Sequence, residues 1–216
     1  MANQSTAYGL RPVGIVGSGV NSTGVTQYEI SASNDHPIYQ YGLVIPTSAG
    51  VIDRCVETNG TAVPLLGVLM GIQYHDSVQK KPVWLNYWPG SGGASVDTNY
   101  PVKAFVADNP NQIFKIASDA SLTDRTTALA GVFANANLGT SGHSGDTNTG
   151  SSSSTLSVAS IGTTATLPLR IVGISDDESN SDFTAAGIPL LVRLNAHHNA
   201  TNSRYDSQTN APTTGI

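Results

Sequence analysis

The run Gly142-His143-Ser144-Gly145-Asp146 sets a histidine, a serine and an aspartate side by side. These are the side chains of a hydrolase triad, but a triad gathers them from distant positions into a rigid, buried geometry. Here they fall inside a tract of Gly, Ser and Thr with no apolar anchor, so they are read as loop residues. The nucleophile elbow Gly-x-Ser-x-Gly does not occur anywhere in the chain. Gly17-Ser18-Gly19-Val20-Asn21-Ser22 lacks the third glycine of a dinucleotide fingerprint, and Gly90-Ser91-Gly92-Gly93 lacks the Lys-Ser/Thr that completes a phosphate loop.

Metal chemistry fares no better. Asp176-Asp177-Glu178-Ser179-Asn180-Ser181-Asp182 spaces oxygen ligands like the start of a calcium loop, yet Ser181 and Gly187 stand where the loop needs glycine and glutamate. A solvated acidic turn is the better reading. His197-His198 follow a strand, and adjacent strand residues point to opposite faces. They cannot share one metal and are expected to face solvent. Cys55 is the only cysteine, which excludes an intrachain disulfide and a cysteine-built cage, and predicts a small buried apolar side chain. No catalytic, cofactor-binding or metal-ligating residue is assigned.

The aromatic run Val83-Trp84-Leu85-Asn86-Tyr87-Trp88 is more informative. Strand alternation puts Val83, Leu85 and Tyr87 on one face and Trp84, Asn86 and Trp88 on the other. If the first set faces the core, Trp84 and Trp88 face outward together. An exposed tryptophan pair suits a contact between protomers or a platform on which sugars stack.

The elements that must hold these residues are strands. Apolar runs recur at Gln27 to Ile30, Tyr39 to Ile45, Val63 to Ile72, Val83 to Tyr87, Val102 to Ala107, Ile113 to Ala117, Leu167 to Ile174 and Leu190 to Leu194. Prolines stand at their ends, where no ladder donor is lost. Gly67 and Gly71, inside one such run, predict bends or close approach of a neighbouring backbone. The one good helix candidate is Ser121 to Ala130, opening on Ser121-Leu122-Thr123-Asp124 in the layout of a capping box. The fold class is all-β, with one or two short helices at most.

Residues 1–24 are rich in Gly, Ser and Asn and read as an extended N-terminal arm that gains order on docking. A β-rich domain spans 25–198, interrupted by a flexible Gly/Ser-rich insertion at 139–154, and a polar tail occupies 199–216. Ser, Thr and Asn supply 62 of the 216 residues, while charged residues are only 12%, against roughly 25% in an ordinary domain. The surface is therefore polar and mostly uncharged. With a formal charge of -5 and no basic cluster beyond Lys80-Lys81, a nucleic-acid groove is not expected. No apolar run approaches the ~20 residues of a membrane helix, and Met-Ala-Asn-Gln-Ser lacks the basic and apolar regions of a secretory signal. The sequons at Asn21, Asn59 and Asn199 are read as products of composition.

The module YGLVIPTSAGVID, a spacer, and VPLLGVLMGIQY resembles the β-tulip core of tailed-phage head decoration, or cement, proteins. Tyr8-Gly9-Leu10-Arg11-Pro12-Val13 before it, Asn86-Tyr87-Trp88-Pro89-Gly90 after it, and the closing Leu169-Arg170-Ile171-Val172-Gly173 and Leu191 to His197 extend the resemblance to podovirus-type head proteins over residues 8 to 198. The resemblance implies a barrel-like β-tulip domain and a non-enzymatic virion protein made in the host cytoplasm. It would sit on the outer capsid surface as a homotrimer that ties neighbouring major capsid proteins together against DNA pressure. In that reading Tyr8, Leu10, Arg11 and Val13 form the capsid-binding arm, and Trp84 and Trp88 the protomer interface, without cofactor, nucleic acid or membrane. The alternative is a carbohydrate-binding or adhesive virion module that takes host-surface glycans on Trp84, Tyr87 and Trp88.

Overall fold

The computed structural model describes residues 3, 7–17, 24–56, 64–139, 143–195 and 197–200. Among them the chain is nearly all β, with one short α-helix and one 3-10 turn. The first strands are β1 (Arg11–Ile15), β2 (Thr26–Ile30), β3 (Leu43–Pro46), β4 (Ile52–Arg54), β5 (Gly67–His75), β6 (Pro82–Leu85), β7 (Val102–Ala107) and β8 (Gln112–Ala117). Helix α1 (Arg125–Ala130) follows, then β9 (Asn135–Leu138), β10 (Gly145–Asp146), β11 (Ser151–Ser152), β12 (Leu156–Gly162), β13 (Leu169–Ile174) and β14 (Pro189–Leu194).

The run from Tyr39 to Tyr74 builds the centre of a closed ring. Strand β3 pairs with β4, β4 with β2, β2 with β7 and β7 with β5, and β5 returns to β3 through Leu43–Val68 and Val44–Gly67. Each of these five strands thus has a neighbour on both sides, although β2 meets β4 only at Ile30–Ile52, and β6 extends the far half of β5. The second sheet runs β1-β8-β14-β13-β9-β12, antiparallel throughout.

Two cores explain why β3 and the first half of β5 read as almost continuous apolar runs. Val44, Leu69, Ile72, Val102, Ala104 and Val106 point into the ring. Their neighbours Leu43, Val68 and Ala107 point out of it and pack on the inner face of the second sheet, against Phe114, Ile116, Leu169, Ile171 and Val192. A strand buried on both faces has no polar side to alternate with.

Glycine permits a close passage of strands at the seam of the ring. A Cβ on Gly67 would stand 2.4 Å from the Ala107 carbonyl oxygen, so the seam where β3, β5 and β7 converge has room only for a hydrogen. Gly71 lies at a β-bulge in β5, where the register against β7 shifts between Leu69 and Gly71. Both roles match the reading of these glycines from sequence.

Three expectations are corrected. The helix begins three residues later than the capping-box layout suggested. Asp124, not Ser121, is the N-cap, accepting from the Thr127 N–H at 2.7 Å, while Leu122 is drawn into the core. Residues 7–17 are not an arm apart from the body, because Leu10 is fully buried and β1 pairs with β8. The described part of the Gly/Ser-rich insertion is docked rather than loose. Its β10–β11 ribbon bridges Gln40 through Ser151, and Ser152 and Ser154 are buried with their hydroxyls 2.7 Å apart. Gly145 lies on the Tyr39 ring, with no space for a Cβ. The polar tail from residue 201 and the sequons at Asn21 and Asn59 lie outside the described residues.

Candidate binding face

The two tryptophans part company. Alternation holds through β6, where Val83 and Leu85 pack on the ring's core and Trp84 is 62% exposed. The strand ends at Leu85, the chain bends at Asn86 and Tyr87, and Trp88 turns back into the ring at 0% exposure. Its indole N–H donates to the Asn34 carbonyl at 3.0 Å, and its main chain exchanges two hydrogen bonds with Ile38. The expected outward pair Trp84 and Trp88 is therefore corrected to Trp84 alone. Tyr87 is also withdrawn, stacked on Tyr39 with ring centroids 5.6 Å apart.

Trp84 has a different partner. The Phe105 ring stacks on it at 5.5 Å and 15°, reaching across β5, where Gly71 lies opposite Phe105 and offers no side chain. Gln73 faces Trp84 on one side and Lys103 on the other. Beside them His75 and Tyr100 stack at 4.1 Å, next to a recess of about 170 Å³ lined by Gln73, His75, Tyr100 and Lys103. The outer wall of the ring thus carries two aromatic stacks separated by amide and ammonium groups. Phe105, His75 and Tyr100 were not singled out from sequence. The signal for Phe105 was present, since it alternates with the inward-facing Ala104 and Val106 on β7.

The arm residues divide in the same way. Leu10 is core, and the Tyr8 hydroxyl is buried, with burial pushing its pKa up to about 12. The Arg11 guanidinium lies 4.7 Å from the Tyr8 ring centre and 5.4 Å from that of Tyr41. Val13 is the extra residue of a bulge between Pro12 and Gly14 and is exposed. Of the four, only Arg11 and Val13 are exposed, on β1, the outer strand of its sheet.

The chemistry weighed from sequence finds internal work. Among the described residues no hydrogen bond joins the side chains of His143, Ser144 and Asp146, and the Asp146 carboxylate instead accepts from the Asn148 N–H at 2.9 Å. In the acidic turn Asp176 pairs with Arg125 at 3.0 Å, Asp177 pairs with Lys115 at 3.3 Å and caps the 3-10 turn, and Asp182 accepts from Thr184. Cys55 is buried, as its type predicted.

His198 faces solvent as expected, but His197 is buried, a correction with a clear cause. After β14 the chain leaves its sheet and bridges Leu65 at the entry to β5, with the His198 N–H donating to the Leu65 carbonyl at 2.7 Å. Nδ1 of His197 accepts from the Asn199 N–H at 3.0 Å, and Nε2 is buried without a hydrogen-bond partner. Burial holds the imidazole down to about 4, against the upward pull of Asp108. Asp108 itself accepts from the Tyr28 and Thr26 hydroxyls at 2.7 and 2.8 Å.

A depressed histidine pKa means that the unfolded chain binds the proton first as pH falls. The stability tied to neutral His197 is complete above the ordinary value of 6.5 and is lost between there and about 4. Urea unfolding at pH 7 and pH 5 should show the wild type losing on the order of 1–2 kcal/mol more than His197→Gln. Equal losses would mean that His197 does not titrate in this range. The chain matches no family model, no curated protein and no solved structure.

Proposed function

We propose that this chain is a non-enzymatic structural protein of a tailed-phage head. It binds the outer capsid surface as a homotrimer and ties neighbouring major capsid proteins together. The observation that carries the reading is the Trp84–Phe105 stack, an exposed tryptophan backed by a half-buried phenylalanine on a closed ring. Large aromatic side chains on a rigid support act as anchors of protein contacts. The resemblance of the Tyr39–Tyr74 module to decoration proteins supplies the partner. Three protomers, each holding the coat weakly, gain avidity because the second and third contacts form at roughly millimolar effective concentration. Coat contact then falls to Arg11, Val13 and the outer edge of β1, to which a coat strand can add.

Sedimentation of the purified chain should show a trimer, and antibody labelling should find it on intact virions. Trp84→Ala should yield monomers while changing folding stability by less than about 1.5 kcal/mol. A wild-type monomer, missing from virions, would overturn the proposal. Deleting residues 1–24 is not a clean test of coat binding, because it removes Leu10 from a core.

A second reading is favoured by the His75–Tyr100 stack, which sits with Gln73 and Lys103 beside Trp84. Flat rings flanked by hydrogen-bonding side chains suit a sugar. Glycan-array binding that is lost in Trp84→Ala, with the oligomer unchanged, would establish this reading in place of the first.

A further inference from the structure

The outer face of the second sheet carries an open groove of about 560 Å³ that runs from β1 across β8, β14 and β13 to Phe133. Its floor is aliphatic, built from Ile15, Ile113, Leu191 and Val172. Val172 is the extra residue of a bulge between Ile171 and Gly173, the kind of insertion that re-aims a side chain. At the far end Phe133 is 70% exposed, with its backbone in the left-handed region at φ 72. A bulky residue adopts that conformation at a cost, and such strain concentrates at binding sites.

The charges in the groove are unmatched. Arg170 and Arg193 stand directly opposite each other on β13 and β14, an arrangement of like charges that weakens a sheet. Of the other cations on this face, Lys115 is paired with Asp177, and Arg11, opposite Lys115, lies over the Tyr8 and Tyr41 rings. No carboxylate lies within ion-pair distance of either arginine among the described residues, and the Arg193 Nε is buried without a hydrogen-bond partner. In a chain whose formal charge is -5, two facing guanidinium groups over an apolar floor are complementary to a carboxylate flanked by apolar groups.

We propose that this groove docks an extended segment of a partner protein, with an acidic side chain held between Arg170 and Arg193 and aliphatic neighbours on the Ile113–Leu191–Val172 floor. The span favours a peptide. Four strands at about 4.8 Å spacing cover roughly 14 Å, the length of four to five extended residues. The groove is open along its length, whereas sites for small ligands enclose most of the molecule they bind. Arginine suits the role because its planar fork meets a carboxylate with two parallel hydrogen bonds. The inference does not rest on the head-protein reading, since it is argued from the groove's own lining and charges, although the groove begins at β1, whose outer edge that reading gives to the coat.

A display library of random nine-residue segments, panned on the full chain and counter-selected on the Arg170→Gln/Arg193→Gln double variant, tests it. Enriched segments should carry Asp or Glu between aliphatic residues. A labelled peptide of that pattern should bind the wild type at least roughly tenfold more tightly than either single variant, and its Asp→Asn or Glu→Gln analogue should show the same loss. Thermal melts should show both variants folded, and their loss of binding should persist in Arg→Lys replacements, which keep charge but not the fork. Enrichment of segments without a carboxylate, or equal capture by the double variant, would overturn the proposal. So would tight binding of dodecanoate with no peptide selected, which would make the occupant a fatty acid.

Discussion

Trp88→Ala should destabilise the chain by about 4 kcal/mol, whereas Trp84→Ala, four residues away, should cost less than about 1.5 kcal/mol. Trp88 is fully enclosed in the ring, meets Tyr74 edge-on at 6.4 Å and 85°, and donates its indole N–H to the Asn34 carbonyl. Truncation removes the largest side chain of that core and leaves a cavity that a closed ring cannot collapse to fill. It also strips the Asn34 carbonyl of its donor. Trp88→Phe separates the two losses, since the ring–ring contact survives and the hydrogen bond does not. That variant should fall between the other two. Urea titration at constant slope measures all three, and an equal cost at positions 84 and 88 would refute this account of the ring.

Gly67→Ala should cost about 3 kcal/mol, a large effect for one added methyl group. The new Cβ would meet the Ala107 carbonyl oxygen at 2.4 Å and Val106 Cγ1 at 2.8 Å. A side-chain tip can rotate away, but a carbonyl in a strand moves only with its ladder. Gly67 also pairs with Val44 at the β3–β5 seam, so the displaced strand is the one that closes the ring. Gly50→Ala is a useful contrast because nothing lies within 4 Å of its Cβ position. Its φ of +77 makes the penalty purely conformational, on the order of 1 kcal/mol. Near-equal losses for the two alanines would show that the seam is looser than the 2.4 Å approach requires.

The sequence made the ring strands legible for a physical reason. Residues buried on both faces leave apolar runs bounded by proline, and each of the eight runs singled out overlaps a strand of the fold. Strands β9 and β12 were not visible, because Asn135-Ala136-Asn137-Leu138 and Leu156 to Gly162 are rich in Asn, Ser and Ala. Their polar groups find partners only after folding, as when Asn135 donates to the Thr164 carbonyl and the Asn137 N–H to Ser160. The 143–154 ribbon was hidden likewise, since a glycine lying flat on Tyr39 has no hydrophobic signature of its own.

The binding face was half legible. Period-two alternation placed Trp84 correctly and failed at Trp88, because the rule was carried past the end of the strand. The same extension misplaced His197, which lies beyond β14 and is held by Leu65, far away in sequence. Arg170 and Arg193 were quoted only as part of a motif. Their opposition depends on the register of two strands, which composition does not reveal.

The pairing of β1 with β8 also orders events in time. Every strand of the ring lies between Thr26 and Ala107, so the ring can close once that length has left the ribosome. Strand β1 is made earlier, yet Arg11 meets Lys115 about a hundred residues later. Leu10 cannot reach its place until the second half of the chain exists. Strand β1, made before the ring, is thus among the last to settle, and an extension fused ahead of it would retard the assembly of the second sheet while leaving the ring's own folding rate unchanged.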